Sequence, residues 1–219
     1  MRFRIDLKIF LCIFLFYCTK QIEIYAMIMF FALLHEFGHL LAGLLLGMKP
    51  EKLEIMPYGV AVSFHLTPKD YNKKIKNGNL LEVKKILVAL AGPITNIIIM
   101  LIIFQMNMNV FTDLMIIYSN LVLVLFNLLP IYPLDGGRII KGILHIWCGK
   151  RKAEKYVNLI SFFTLIIVTF IASIGIYIAE NIAIFFIILV IWCMWLQEDR
   201  IYQKRNKIYN LLEKTIEIN

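Results

Sequence analysis

Long apolar blocks separated by short polar connections dominate the hydropathy pattern of this chain. A helix needs about 20 mostly apolar residues to cross a bilayer. The last two blocks form one run that is interrupted only by Glu180 and Asn181, and we interpret that run as a helical hairpin. The pattern predicts an all-α polytopic membrane protein with about six transmembrane helices, at residues 7–19, 25–48, 86–106, 114–129, 157–178 and 182–196.

The composition also indicates a membrane protein. Hydrophobic residues make up 60% and charged residues 17% of the 219 positions, whereas a soluble domain has about 45–50% apolar and ~25% charged residues. Arg2 and Arg4 precede the first block as they would in a signal peptide, but no small-x-small cleavage site follows that block. We therefore expect the first block to remain as an uncleaved span.

The distribution of lysine and arginine predicts the orientation of the spans. If the N-terminus is cytoplasmic, the inner segments are residues 1–8, 49–85, 130–156 and 197–219. They contain 22 of the 23 lysines and arginines, and the outer connections contain only Lys20. Positive residues gather on the cytoplasmic side of membrane proteins, so we expect both termini in the cytoplasm. We therefore attribute the net charge of +8 to the orientation of the spans. The expected partner is the lipid bilayer, and we expect no nucleic-acid partner.

Two stretches outside the spans have a character of their own. Residues 53–65 are rich in β-branched and aromatic residues and are interrupted by Pro57 and Gly59, so we expect a short β-hairpin or re-entrant strand segment between helices 2 and 3. Residues 198–219 are basic and predict a cytoplasmic C-terminal helix or tail. The six spans then form one domain over residues 1–197.

The second apolar block contains three ionisable residues, His35, Glu36 and His39. Ionisable groups inside a membrane helix cost free energy and normally mark function. Residues four apart share one helix face, so the two imidazoles can bind one metal ion, while Glu36 can reach a metal-bound water. This is the H-E-x-x-H arrangement of zinc proteases. The alternative is a pair of histidines that neighbouring helices satisfy.

A catalytic zinc ion usually has a third protein ligand, and Asp135 is the best candidate. It follows the segment after Asn127 in which Pro130 and Pro133 end the fourth span. At about 1.5 Å of rise per residue, this break falls at a depth near His35 and His39. The alternative is an ordinary helix-ending turn in which Asp135 caps the next helix. The sequence predicts one Zn²⁺ per chain.

At these positions the chain resembles the site-2 protease family of intramembrane zinc metalloproteases. The segment His35-Glu-Phe-Gly-His39 matches its helix motif, and Asn127-x-x-Pro-x-x-Pro-Leu-Asp135-Gly matches its second motif. The segment Ala91-Gly-Pro-Ile-Thr-Asn96 is similar to a further family element. With Met56-Pro-Tyr-Gly59 between the first two elements, their order is most similar to the stage IV sporulation protein FB branch, which processes pro-sigma-K.

The resemblance implies an endopeptidase in which Glu36 is the catalytic base. Asn127, Pro133 and Gly59 become candidates for contacts with the substrate or the oxyanion, and for Asn127 an interhelical hydrogen bond is the alternative role. The chain ends at Asn219 without the CBS domain of the sporulation branch, so we expect no such domain. The connection at 107–113 has no room for the PDZ domain that another branch inserts there.

The implied substrate is a membrane-associated regulatory protein cut near the cytoplasmic side. A pro-sigma factor during sporulation is the leading expectation, which places the protein in a bacterial cell membrane, specifically the outer forespore membrane. Inhibitory membrane partner proteins are a further expectation from the family. An anti-sigma factor or a signal-peptide remnant are alternative substrates. A non-catalytic membrane metal-binding protein or transporter is the alternative from another functional class.

Overall fold

A computed structural model describes residues 2–5, 17, 22–56, 59–65, 75–106, 110–179 and 183–218. This part of the chain is mostly helical and divides into two compact units, Met1–Leu128 and Leu129–Asn219. The elements, numbered in chain order, are β1 Arg2–Ile5, α1 Ile22–Leu45, β2 Lys49–Met56, β3 Gly59–His65, α2 Ile75–Met106, α3 Val110–Asn127, α4 Asp135–Cys148, α5 Lys150–Ala179 and α6 Ala183–Ile218.

Three helices of the described chain are long and apolar enough to cross a membrane. They cover Tyr25–Leu45, Asn79–Gln105 and Lys150–Ile178 and overlap the second, third and fifth predicted spans, although the third and fifth begin seven residues earlier than predicted. The fourth predicted span falls on α3, whose apolar part Ile116–Asn127 is shorter than a span.

The remaining two predicted spans are not tested in the same way. The first, residues 7–19, lies outside the described residues except for Tyr17. The sixth, residues 182–196, lies on α6 except for residue 182, which is outside the described residues, and α6 is not among the candidate spans. The total of six spans therefore stays a prediction.

In the first unit, α1 packs against α2 and α3. A Cβ atom at Gly38 of α1 would collide with the Thr95 hydroxyl of α2, so the absence of a side chain lets the two helices approach closely. Small residues serve this purpose in membrane helix pairs. Phe31 and Ala32 of α1 form a buried apolar cluster with Leu123 of α3. Phe31 is four residues before His35, so these contacts include the helix face that carries the two histidines.

A three-stranded sheet follows α1, in the order β1-β2-β3. Strands β2 and β3 pair antiparallel in the region where the sequence predicts a hairpin, and residues 57 and 58 between them lie outside the described residues. Strand β1 pairs parallel with β2 and was not predicted, because four residues are too few to show a period. The Phe64 ring of β3 lies where a Cβ atom at Gly43 of α1 would be. The sheet therefore packs on the C-terminal end of α1.

The second unit consists of α4, α5 and α6, with α5 in contact with both neighbours. The Trp192 indole donates a hydrogen bond to the Thr169 hydroxyl over 3.0 Å, and the Asn158 amide donates to Asp199 over 2.8 Å. Rising residue numbers on α5 meet falling numbers on α6, so the two helices run antiparallel. Helix α6 passes through position 197 without a break, and the predicted domain division there stays a prediction.

Candidate metal centre

The two motif histidines lie on one face of α1, as their spacing predicts. His35 and His39 are 2% and 3% exposed, and their ring centroids are 4.7 Å apart with the ring planes nearly perpendicular. The two imidazoles therefore lie side by side on this helix face and meet edge to face rather than stacked.

A backbone carbonyl of α2 orients His39. Its Nδ1 atom lies 2.6 Å from the Val88 carbonyl oxygen, in a buried position. Since a carbonyl oxygen only accepts, the proton of the neutral ring is on Nδ1 and the lone pair is on Nε2. Metal-binding histidines typically donate their second nitrogen in this way, which fixes the ring and its tautomer.

Gly92 of α2 provides the space into which both imidazoles extend. A Cβ atom at this position would lie 2.5 Å from His35 Nε2, 2.5 Å from His39 Nε2 and 2.5 Å from His39 Cε1. Two atoms that are both 2.5 Å from one point are close to each other, so the two Nε2 atoms converge beside Gly92. The pair is therefore arranged as two ligands of one ion would be.

Asp135 is the first residue of α4 and is 4% exposed. The N-cap of this helix is Leu134, without a side-chain capping bond, so the alternative role of Asp135 as the cap does not apply. A carboxylate in the first turn is stabilised by the helix dipole. Arg138, one turn later and partly exposed, has its Nη1 atom 3.6 Å from Asp135 Oδ1, which is too long for a hydrogen bond.

His35, His39 and Asp135 form a group of buried donors that could hold a metal ion. Each of the three residues offers one ligand atom, an imidazole nitrogen or a carboxylate oxygen. Two imidazole nitrogens and one carboxylate oxygen are the donor set that catalytic zinc sites commonly use, with one position left open. The chemistry of the donors, the orientation of His39 and the space beside Gly92 all fit zinc.

The other predicted site residues have defined positions. Glu36 lies on α1 next to His35 and is half-buried. Asn127 ends α3, where its side-chain amide donates to the Leu123 carbonyl of its own helix over 3.1 Å. Pro133 lies between α3 and α4 and follows a cis peptide bond. Gly59 begins β3 opposite Met56. The roles of these residues in catalysis or substrate binding stay predictions.

Two supporting groups were not identified from the sequence, the Val88 carbonyl and Gly92. Every residue has a carbonyl group, so Val88 carries no signal. Gly92 does carry one, since glycine inside an apolar helix marks close backbone approach. The pattern did not show that the approaching groups are the two histidines.

Comparisons with known proteins identify the family of this chain. The family model of peptidase family M50 matches residues 23–112 and 105–171. A zinc metalloprotease of Methanocaldococcus jannaschii is 28% identical over 194 residues, 84% of this chain and 51% of that protein, so the chain spans about half the length of this curated relative. The solved site-2 protease from Methanocaldococcus jannaschii shares the fold, with a TM-score of 0.66 and 21% identity over 90% of this chain and 91% of that one. The chain belongs to peptidase family M50.

Proposed function

We propose that this chain is a zinc-dependent endopeptidase that cleaves a membrane-associated protein at or within the bilayer. The observation that carries the proposal is the buried group of two imidazoles and one carboxylate, next to a glutamate at the second position of H-E-x-x-H. Membership of peptidase family M50 supports the same chemistry. A structural metal site would not need an acid–base residue beside it.

In the proposed mechanism His35, His39 and Asp135 hold the zinc ion and Glu36 moves the proton. Bound zinc supplies Lewis acidity toward the scissile carbonyl and toward the attacking water. Glu36 accepts one proton from that water as its oxygen bonds to the carbonyl carbon. Glu36 then donates this proton to the leaving amine as the C–N bond breaks, so it returns to its carboxylate form.

A bilayer is the proposed surrounding. Large apolar side chains remain exposed on the candidate spans, among them Leu101, Phe104, Phe170 and Ile171, and soluble monomers rarely expose such extended apolar surfaces. The asymmetric distribution of lysine and arginine supports cytoplasmic termini, and the resemblance to the sporulation branch is the basis for proposing a bacterial cell membrane.

The proposed substrate is an extended segment of a regulatory protein. A helical substrate segment must unwind before its peptide bonds can be hydrolysed. Strand β3 is at the end of the strand order, where the extended substrate could pair as an added strand. Gly59, Asn127 and Pro133 are the proposed substrate contacts. A pro-sigma factor is the first candidate because the order of motifs resembles that of the sporulation branch, and inhibitory membrane partners belong to the same proposal.

Substitution of Glu36 tests the proposed chemistry. Glu36→Gln removes the base and leaves the three metal ligands, so we expect one zinc per chain and a loss of cleavage of about 100-fold or more. Glu23→Gln is the matched control, since Glu23 is an exposed acid in the first turn of the same helix. Zinc content by atomic emission and cleavage of co-expressed membrane proteins are the readouts. Wild-type cleavage by the Glu36→Gln variant would overturn the mechanism.

A further inference from the structure

The segment that leads into Asp135 has few hydrogen bonds of its own. Pro130 and Pro133 have no backbone N–H group. Of the three remaining N–H groups in residues 130–134, that of Ile131 donates to the Leu129 carbonyl over 2.7 Å and that of Leu134 donates to the Ile131 carbonyl over 2.8 Å. Both bonds are local and close turns. They do not hold the segment against another helix.

The third N–H group provides that connection. The backbone N–H of Tyr132 donates to the hydroxyl oxygen of Ser161, on α5, over 2.9 Å. Ser161 is 0% exposed and lies in an apolar stretch of a candidate span. A buried hydroxyl is costly unless it is hydrogen-bonded, so this contact accounts for a serine in that position.

The same segment packs tightly on the first turn of α4. A Cβ atom at Gly137 would lie 2.5 Å from the Ile131 carbonyl carbon and 2.5 Å from the Tyr132 nitrogen. Lys141 places its Nζ atom 4.2 Å from the centroid of the Tyr132 ring. Tyr132 is therefore fixed at its backbone by α5 and at its ring by α4, three residues before Asp135.

We propose that Ser161 is a positioning residue for the metal ligand Asp135. Its hydroxyl holds the backbone of Tyr132, and the turn closed by Leu134 transmits that constraint to the start of α4. The inference rests on the proposed function, because it takes Asp135 as a zinc ligand. Groups that hold a metal ligand in place typically contribute about 10- to 100-fold to metal affinity or activity.

The test is the zinc affinity of the 219-residue chain in detergent, measured by competition with a chromophoric chelator. Ser161→Thr and Ser161→Val form a matched pair of nearly equal shape, which differ in having or lacking the hydroxyl. We expect the threonine variant to bind zinc at least about tenfold more tightly than the valine variant. Ser161→Ala should weaken zinc binding by a similar factor. Ser173→Ala is the control on the same helix, since Ser173 is exposed and its hydroxyl donates to the Phe170 carbonyl.

The outcomes separate this inference from the proposed function. Equal zinc affinity of the threonine and valine variants would overturn the role of Ser161, whatever their melting temperatures. A wild-type protein that binds zinc but cleaves nothing would overturn the peptidase function. In that case the zinc affinities of Ser161→Thr and Ser161→Val would still decide the positioning role of Ser161. A wild-type protein that binds no zinc would overturn both.

Discussion

Replacing Gly92 with alanine adds one carbon atom at the point where the two motif histidines converge. The new Cβ atom would lie 2.5 Å from the Nε2 atoms of His35 and His39. Favourable contacts between nonbonded atoms of this size are about 3.5–4.0 Å. Both rings, or the helices that carry them, must therefore move by roughly 1 Å.

A displacement of this size is large for a metal site. Zinc–nitrogen bonds are about 2.0–2.1 Å long, and plausible sites keep their ligand distances within about ±0.2 Å. His39 cannot simply rotate away, because its Nδ1 atom is held by the Val88 carbonyl 2.6 Å away. We expect Gly92→Ala to lower zinc affinity by about 100-fold or more, which corresponds to ~2.7 kcal/mol.

The zinc-free protein should respond differently. Alanine is favoured over glycine inside a helix by about 1 kcal/mol, so the substitution should not by itself unfold α2. The assay compares zinc affinity by chelator competition with the thermal unfolding of the zinc-free protein. Gly175→Ala is the matched control, because the nearest atom to its added Cβ, Ile184 Cδ1, is 3.8 Å away. If Gly92→Ala binds zinc as tightly as Gly175→Ala, the histidines do not converge at Gly92 and the reasoning is wrong.

Two further predictions concern the second unit. Asp135→Asn keeps the side-chain size but replaces the anionic ligand with an amide, so zinc content measured by atomic emission should fall well below one per chain, and full content would remove Asp135 from the ligand set. Arg205→Ala leaves the buried Glu154 carboxylate without the guanidinium 3.4 Å away, which should cost about 1–3 kcal/mol. It should lower the melting temperature more than the exposed-site control Lys204→Ala does, and equal melting temperatures would contradict this.

The three proposed metal ligands stand out in the sequence because each has a chemical signature. Ionisable residues are rare in apolar helices, and the spacing of His35 and His39 follows from the helix period. Asp135 stood out because the prolines before it predict the end of a helix. The start of α4 at Asp135 itself was not predicted, since Leu134, an apolar residue without a capping side chain, is its N-cap.

The groups that support these ligands have no comparable signature. Gly92 acts through a missing side chain and Val88 through a backbone carbonyl, and neither reveals its partner in the sequence. Ser161 is one hydroxyl in a long apolar helix, where serine can also bond to its own backbone. Strand β1 depends on pairing with a strand about 50 residues away, which a four-residue segment cannot predict.

This difference determines what substitutions at each kind of position can establish. Loss of zinc after changing His35 or Asp135 is expected of any metal-binding protein with these ligands and does not test how the ligands are held. Gly92→Ala and Ser161→Val retain all three donor side chains, so a loss of affinity in a variant that stays folded reports the geometry of the donors. An active site tolerates misplacement of only about 0.5 Å. If both variants lose zinc while their helices remain folded, the affinity depends on the supports as well as on the donors, and a search for related metal sites must include them.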